Sequence, residues 1–369
     1  MDERALNRAL LARQGLLDRM PGPVSEVVAA VGALQMQYWP ALRPALWSRM
    51  DEGHPEGPFQ AHGAGELLTG TLLRGTIHTV AAEEYPAYAV VAAASKVGQW
   101  QANADPGPGV GELTAALKEH GAKARPIGEL MEFAEAWVAD NPGGVSPEEA
   151  KRQREYKWTG VMMRARFVRT PADGAWGTKT PQHFVAAPVT EAPATDAALD
   201  SVIRRHLRAF GPAAAEDVAS WIAWNITPVR VALERMEELV RFADEDGRIL
   251  YDLPDAPRPD PDTPAPVRLL PWFDSTLLAY APKRRTRILP EPYRDIVYVK
   301  ANGQLKPSFL VDGMVAGMWS VAVSRGAATL TLTPLQPLSA SVRKELLAEA
   351  ESMLAFCRPD ARSHHVKVT

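Results

Sequence analysis

The sequence predicts an α+β fold, with three tandem modules of helices followed by a β-hairpin and a β-rich portion after them. Three observations predict it. Amphipathic helical periodicity recurs in three stretches of the chain. Each stretch closes on β-forming residues near a Gly-containing turn. A Pro- and Asp-rich linker at 255–266 then separates the last stretch from a run of short strand-like segments.

In the first module, 1–95, residues 5–17 read as a helix and 24–35 as a second, with Ser25 near its start. Residues 72–80, Leu-Leu-Arg-Gly-Thr-Ile-His-Thr-Val, are rich in β-formers. In the second module, 111–190, residues 112–119 and 127–140 are helical and 158–170 strand-like. Ala172-Asp173-Gly174 makes a tight turn, with 175–180 as the return strand. In the third module, 200–254, helices are expected at 201–210, 213–221 and 228–238. Phe210-Gly211-Pro212 stops the first of these, and Asp246-Gly247 signals a hairpin between strands 239–243 and 248–252. Three helices and then a hairpin is the winged helix-turn-helix plan, which sets a helix in the major groove and a wing against the backbone. The same plan also serves as a protein-binding module. The C-terminal portion, 267–369, has short strands over 267–319 and a helix over 341–357, so it is an α+β unit and not a fourth repeat.

The composition excludes several classes of function. Cys357 is the only cysteine, which rules out an intramolecular disulfide, a thiolate zinc site and CxxC redox chemistry. His54 and His62, with Glu56 in a Gly/Pro-rich loop, lack metal-ligand spacing, so neither metal nor cofactor is expected. The charged, amphipathic start, MDERALNRALLARQ, lacks the apolar core of a signal peptide. No apolar run approaches the roughly 18 residues of a membrane span, so a reducing cytoplasm is the expected compartment and a monomer the expected state. The net charge of −3 decides nothing about nucleic acid, because the basic residues are grouped. Lys151, Arg152 and Arg154 lie near Arg164, Arg166 and Arg169. Arg204, Arg205 and Arg208 form a second group, and Lys283, Arg284, Arg285 and Arg287 a third. Solvated faces explain such runs about as well as phosphate binding does, and their interleaving with turns and strands favours the latter modestly.

Gln35-Met36-Gln37, followed by Tyr38-Trp39-Pro40, is the most informative stretch. On a continuing helix, residues two apart point roughly 200° from each other, and the amides would not share a site. Pro40 disfavours helix just before it. If the backbone unwinds near Met36, the period becomes two and both amides fall on one side. Two neutral amides aimed at one point suit water positioning or nucleic-acid contact, not a strong base. Taken alone, a solvated helix end explains this tripeptide more often than a site does.

Together with that tripeptide, Leu73-Arg74-Gly75-Thr76-Ile77-His78, Leu269-Leu270-Pro271-Trp272-Phe273-Asp274 and Val311-Asp312-Gly313-Met314-Val315-Ala316-Gly317-Met318-Trp319 carry a resemblance. In this order and spacing the chain resembles the bacterial winged-helix-repeat DNA glycosylases of the AlkZ and YcaQ type, over nearly its whole length. The resemblance implies three winged helices in a C-shaped body that cradles duplex DNA. It implies hydrolysis of the N-glycosidic bond of N7-alkylated guanine, with some members unhooking interstrand crosslinks, and it puts Gln35 and Gln37 in the catalytic positions. YcaQ-type members carry Asp where this chain has Gln37, so the antibiotic-resistance branch is the better match.

The chemistry agrees. A glutamine orients water through its carbonyl oxygen but supplies no acid or base. That suffices when the leaving group is already cationic, as N7-alkylguanine is. The expected partner is therefore duplex DNA carrying N7-alkylpurine lesions. Arg74, His78, Arg164, Arg166, Arg169, Lys283, Arg284 and Arg285 are the candidate DNA contacts, the hairpin around Ala172-Asp173-Gly174 among them. Structural roles compete for several: His78 as a satisfied core histidine, Arg74 as a salt bridge, Tyr38 and Trp39 as core packing. Asp274 is open between a cap and an approach to DNA. The alternative function is a non-catalytic winged-helix transcriptional regulator. A protein-interaction scaffold is a third.

Overall fold

A computed structural model describes residues 1–95, 107–188, 191–299 and 303–369. The first segment contains α1 (Glu3–Arg13), α2 (Val24–Val31), β1 (Leu34–Gln35), α3 (Leu42–Trp47), α4 (Gly57–Gly63), β2 (Leu67–Thr71), β3 (Ile77–Ala81) and α5 (Tyr85–Ala93). Asp2 caps α1 by accepting from the Ala5 N–H at 2.7 Å. This helix ends at Arg13 and not at 17, because Gly15 turns left-handed (φ +65°) against the Arg49 carbonyl. The second helix likewise ends four residues before Gln35. Gly32, at φ +81°, breaks it, and the chain runs extended into β1. The expected single β run at 72–80 is interrupted by a 3-10 turn, Leu73–Gly75, in which Arg74 (φ +56°) and Gly75 (φ +68°) are both left-handed.

The second segment contains α6 (Val110–His120), β4 (Arg125–Pro126), α7 (Ile127–Asp140), α8 (Pro147–Glu155), α9 (Thr159–Arg164), β5 (Phe167–Thr170) and β6 (His183–Ala186). Two expectations are corrected here. The strand-like stretch 158–170 begins as helix, with buried Trp158 as a left-handed N-cap. The return strand is β6 and not 175–180, which is loop; Thr170 pairs with His183 and Phe167 with Ala186.

Six strands form one sheet in the order β1-β3-β2-β5-β6-β4, so the two segments share a ladder. The seam is β2 against β5 at Gly70 and Val168. A Cβ on Gly70 would stand 3.0 Å from the Phe167 carbonyl, which explains glycine within the strand.

The third segment follows the expected order: α10 (Thr195–Phe210), α11 (Ala215–Ile222), α12 (Ile226–Arg235), then the hairpin β7 (Val240–Ala243) and β8 (Ile249–Asp252), with Gly247 at φ +76° in its turn. The Pro- and Asp-rich linker does not hang free. Three arginines of α1 hold its carbonyls: Arg4 that of Pro261, Arg8 that of Thr263 and Arg13 that of Pro257.

Beyond the linker come β9 (Arg268–Leu270), α13 (Arg294–Val297), β10 (Tyr298–Val299), β11 (Gln304–Leu305), β12 (Ser308–Val311), β13 (Met314–Ser324), β14 (Ala327–Pro334), α14 (Ala340–Cys357) and β15 (Ser363–Val368). A five-stranded sheet runs β15-β14-β13-β12-β9, with β15 parallel to β14. Leu346, Ala350, Met353 and Leu354 of α14 cover it. The largest core is continuous across the chain, from Leu10 and Leu11 through Tyr85 and Tyr88 to Ile203, Leu207 and Leu277. Burying each large side chain contributes about 1.5–3 kcal/mol, so this shared core binds all segments into one body.

Candidate active site

The unwinding at Gly32 gives the sequence Leu34–Gln37 an extended course. Leu34 pairs with Thr79 and Gln35 with His78, and the Met36 N–H donates to the Ile77 carbonyl at 2.7 Å. Met36 is buried in the core among Val31, Leu42 and Phe59, while Gln37 is exposed. Both flanking amides turn to the 72–77 loop. Gln35 Oε1 accepts from Arg74 Nη2 at 2.7 Å, and Gln37 Oε1 accepts from the Ile77 N–H at 2.9 Å.

Arg74 is the organising cation. Its other terminal nitrogen donates to the Trp221 carbonyl at 2.8 Å, near the C-terminal end of α11, where helix carbonyls carry partial negative charge. The third segment is thereby tied to Gln35 through one guanidinium. Burial and then the charge of Arg285 pull its pKa down to about 10, with Tyr298 opposing. Arg74 therefore stays charged at neutral pH and is a positioning group, committed to two neutral acceptors.

His78 is fully buried, which corrects its expected place as a DNA contact. Its Nδ1 lies 3.0 Å from the Thr76 carbonyl, and Nε2 has no hydrogen-bond partner among the described residues. Burial, aided by Arg74, pushes its pKa down to about 3, so the ring is neutral.

The segment before β1 is anchored by side chains far away in sequence. Gln14 donates to the carbonyls of Val31 (3.0 Å) and Ala209 (2.8 Å), and Ser275 Oγ donates to the Ala33 carbonyl at 2.8 Å. Asp274, left open by the sequence, proves structural. Both its oxygens accept from Arg49 at 2.9 Å in a fully buried pair, and it caps the next turn through Thr276. Nothing in the local sequence pairs Arg49 with a residue 225 positions on.

The other basic candidates are divided. Lys283 is exposed, and Arg164 and Arg166 are half-buried near the start of β5. Arg169 folds inward, donating to the Pro181 carbonyl at 3.3 Å with its guanidinium 5.2 Å from the Phe184 ring centre, and burial lowers its pKa. Arg284 pairs with Asp246 at 2.5 Å, and Glu216 lies 3.9 Å from it. Arg285 donates to the Tyr280 carbonyl at 3.2 Å, and burial lowers its pKa.

Trp39 and Tyr38 take different roles. Trp39 is core, its Nε1 donating to the Gly177 carbonyl at 2.8 Å. Tyr38 is 45% exposed and meets Trp272 edge-on with centroids 5.8 Å apart. Among the described residues no cluster of His, Cys, Asp and Glu suited to a metal is present, and no helix is long and apolar enough to cross a membrane.

The family model described as "DNA glycosylase AlkZ-like" matches residues 28–356, and the chain belongs to that family. A curated relative, the interstrand DNA cross-link repair glycosylase of Streptomyces sahachiroi, is 27% identical over 330 residues, covering 84% of this chain and 85% of the relative. The solved structure of Streptomyces sahachiroi DNA glycosylase AlkZ matches over the full length of both chains with a TM-score of 0.80 at 22% identity, a likeness of fold. The family resemblance drawn from the four motifs thus holds. DNA is the substrate class that membership implies, and the regulator is the disfavoured reading.

Proposed function

We propose that this chain is a monofunctional DNA glycosylase that hydrolyses the N-glycosidic bond of cationic N7-alkylguanine in duplex DNA, bulky adducts and interstrand crosslinks included. We read it as a cytoplasmic monomer that protects its cell from a DNA-alkylating natural product. Residues 1–95, 111–190 and 200–254 are three winged helices of a C-shaped body, completed by 267–369. Gln35 and Gln37 are its catalytic pair. The observation that carries this reading is the convergence of both amides on the 72–77 loop, with Arg74 fixing Gln35.

The step needs no general acid. As the C1′–N9 bond breaks, its electron pair neutralises the cationic base while positive charge moves to the sugar, so the substrate's net charge is unchanged. A carboxylate is then not required to offset new charge. Gln37, exposed at the strand end, exchanges its bond to the Ile77 N–H for one to water and aims that oxygen at C1′. The water proton passes to solvent. Gln35, its oxygen held by Arg74, offers its amide N–H groups to the sugar-phosphate side of the nucleotide. Arg164, Arg166 and Lys283 contact phosphates. Arg169, Arg284 and Arg285 join them only by giving up Phe184, Asp246 and the Tyr280 carbonyl.

The test is base release from duplex DNA carrying N7-methylguanine. Gln37→Ala should lower single-turnover release at least about 100-fold, the scale of one lost positioning group, with DNA affinity within about twofold. Gln35→Ala should impair release to a lesser degree. Full activity in the double variant would remove the pair from catalysis.

A further inference from the structure

The chain leaving Gln37 forms one wall of a cavity that the hydrolytic step does not use. Its volume is about 100 Å³, and its lining includes Tyr38, Pro40, Phe59, Trp272, Trp319 and Val321. The lining comes from the residues just after the catalytic strand, from β13 and the loop after β9, and from the end of α14. Each of the indole donors of Trp39 and Trp319 is already satisfied, by the Gly177 carbonyl and by those of Leu270 and Ser308, so these rings offer apolar surface. Arg43, also on the wall, is spent on the carbonyls of Pro55 and Cys357 and on Glu56. Cys357 is held neutral there, its thiol pushed up to about 12 by burial, so the wall presents no thiolate to an electrophile.

Thr178 and Arg358 also line the space, but five aromatic rings, those of Tyr38, Trp39, Phe59, Trp272 and Trp319, dominate a wall that begins one residue beyond Gln37. It suits a planar ring, stacked or edge-on between aromatic side chains. We infer that this cavity receives the aromatic substituent carried on N7 of the guanine, and so sets the preference for bulky aryl adducts over small alkyl ones. The inference rests on the N7-alkylguanine reading above. Tyr38, exposed and edge-on to Trp272, lines the cavity and is the next residue after Gln37. A substituent entering there extends from a base whose C1′ faces Gln37, and the base itself remains outside.

The experiment compares single-turnover release of N7-benzylguanine and N7-methylguanine from otherwise identical duplexes. Val321→Trp fills the cavity from β13, away from the amide pair, and Val321→Phe is a smaller filling should the larger one fail to fold. The expected result is a loss of at least tenfold on the benzyl adduct in a filled variant, with methyl release within about twofold of the parent. Equal loss on both adducts would overturn the assignment, because the cavity would then serve the base or the fold. Unchanged release of both would overturn it as well. If the unaltered chain releases neither adduct, the N7 reading itself fails and takes this one with it. If Gln37→Ala abolishes release of both while the filled variants discriminate neither, the catalytic reading survives and only the cavity's role is lost.

Discussion

Among single side chains, the site is notable for having no group that titrates near neutrality. The amides of Gln35 and Gln37 do not ionise, His78 is pushed down to about 3 by burial, and Arg74 is pulled down only to about 10. The working protonation state is neutral His78 with charged Arg74. It is complete above the histidine value and is lost as pH rises through the arginine value. Between about pH 5 and neutrality, release from a pre-formed cationic adduct should therefore be flat at saturating enzyme; above neutrality the adduct's own N1–H ionises, so a fall there belongs to the substrate. An acidic limb near about 6 would instead point to a carboxylate or imidazole doing the work. These partners are only partly legible in the sequence. Period-two geometry for Gln35 and Gln37 is foreseeable from Pro40, whereas the burial of His78 depends on the two strands that flank it.

At the level of elements, the decisive event is the early end of α2. Gly32 breaks the helix, Gln14 holds its last carbonyl at Val31, and residues 33–37 are held by Ser275 and the 72–77 loop rather than by their own propensity. The Arg49–Asp274 pair braces the same region from beneath, since Asp274 precedes the Ser275 that holds Ala33. Asp274→Ala would strand the Arg49 guanidinium in the core without its carboxylate, at a cost of about 3–5 kcal/mol. Denaturant unfolding should show that loss. Asp274→Asn, which keeps one acceptor, should lose less. Equal stability of the alanine variant would show the pair to be dispensable.

The sequence reports some elements closely and others poorly, for identifiable reasons. The helix at 127–140 is legible to the residue because its apolar period is clean, and the third hairpin because Asp246-Gly247 marks its turn. The α5 helix is not legible: it is apolar on nearly every side, and buried helices show no amphipathic period. The return strand is misplaced because Ala172-Asp173-Gly174 does turn the chain, but pairing resumes only at His183.

For the whole molecule, the order of helices, hairpins and linker is visible in the sequence. The merging of two hairpins into one sheet is not, since strands so far apart in the chain as β2 and β5 leave no local signal of their pairing. Electrostatics belong to this scale as well. Lys283 is exposed and Arg164 and Arg166 are half-buried, and none of these three is paired with a carboxylate in an ion pair of the described residues. If they meet phosphates, the triple alanine variant should bind duplex DNA with a salt dependence shallower by about 2–3 in the log–log slope, near 0.9 for each phosphate left unneutralised. Fluorescence anisotropy at several salt concentrations would read it, and an unchanged slope would move the DNA interface elsewhere.

The shared ladder also limits how such a protein can evolve. A hairpin that ended in solvent could be exchanged between relatives as a cassette, carrying its DNA preferences with it. Here β5 continues the sheet that holds β1, and at the crossing Gly70 leaves no room for a side chain. Any graft of the second segment must bring a β5 that matches the resident β2 edge, or it shifts the register under the amide pair. The first two segments are therefore inherited as a block that includes β1 and its amide pair, and recombination that treats them as separable parts would yield folded hybrids in which that pair is displaced.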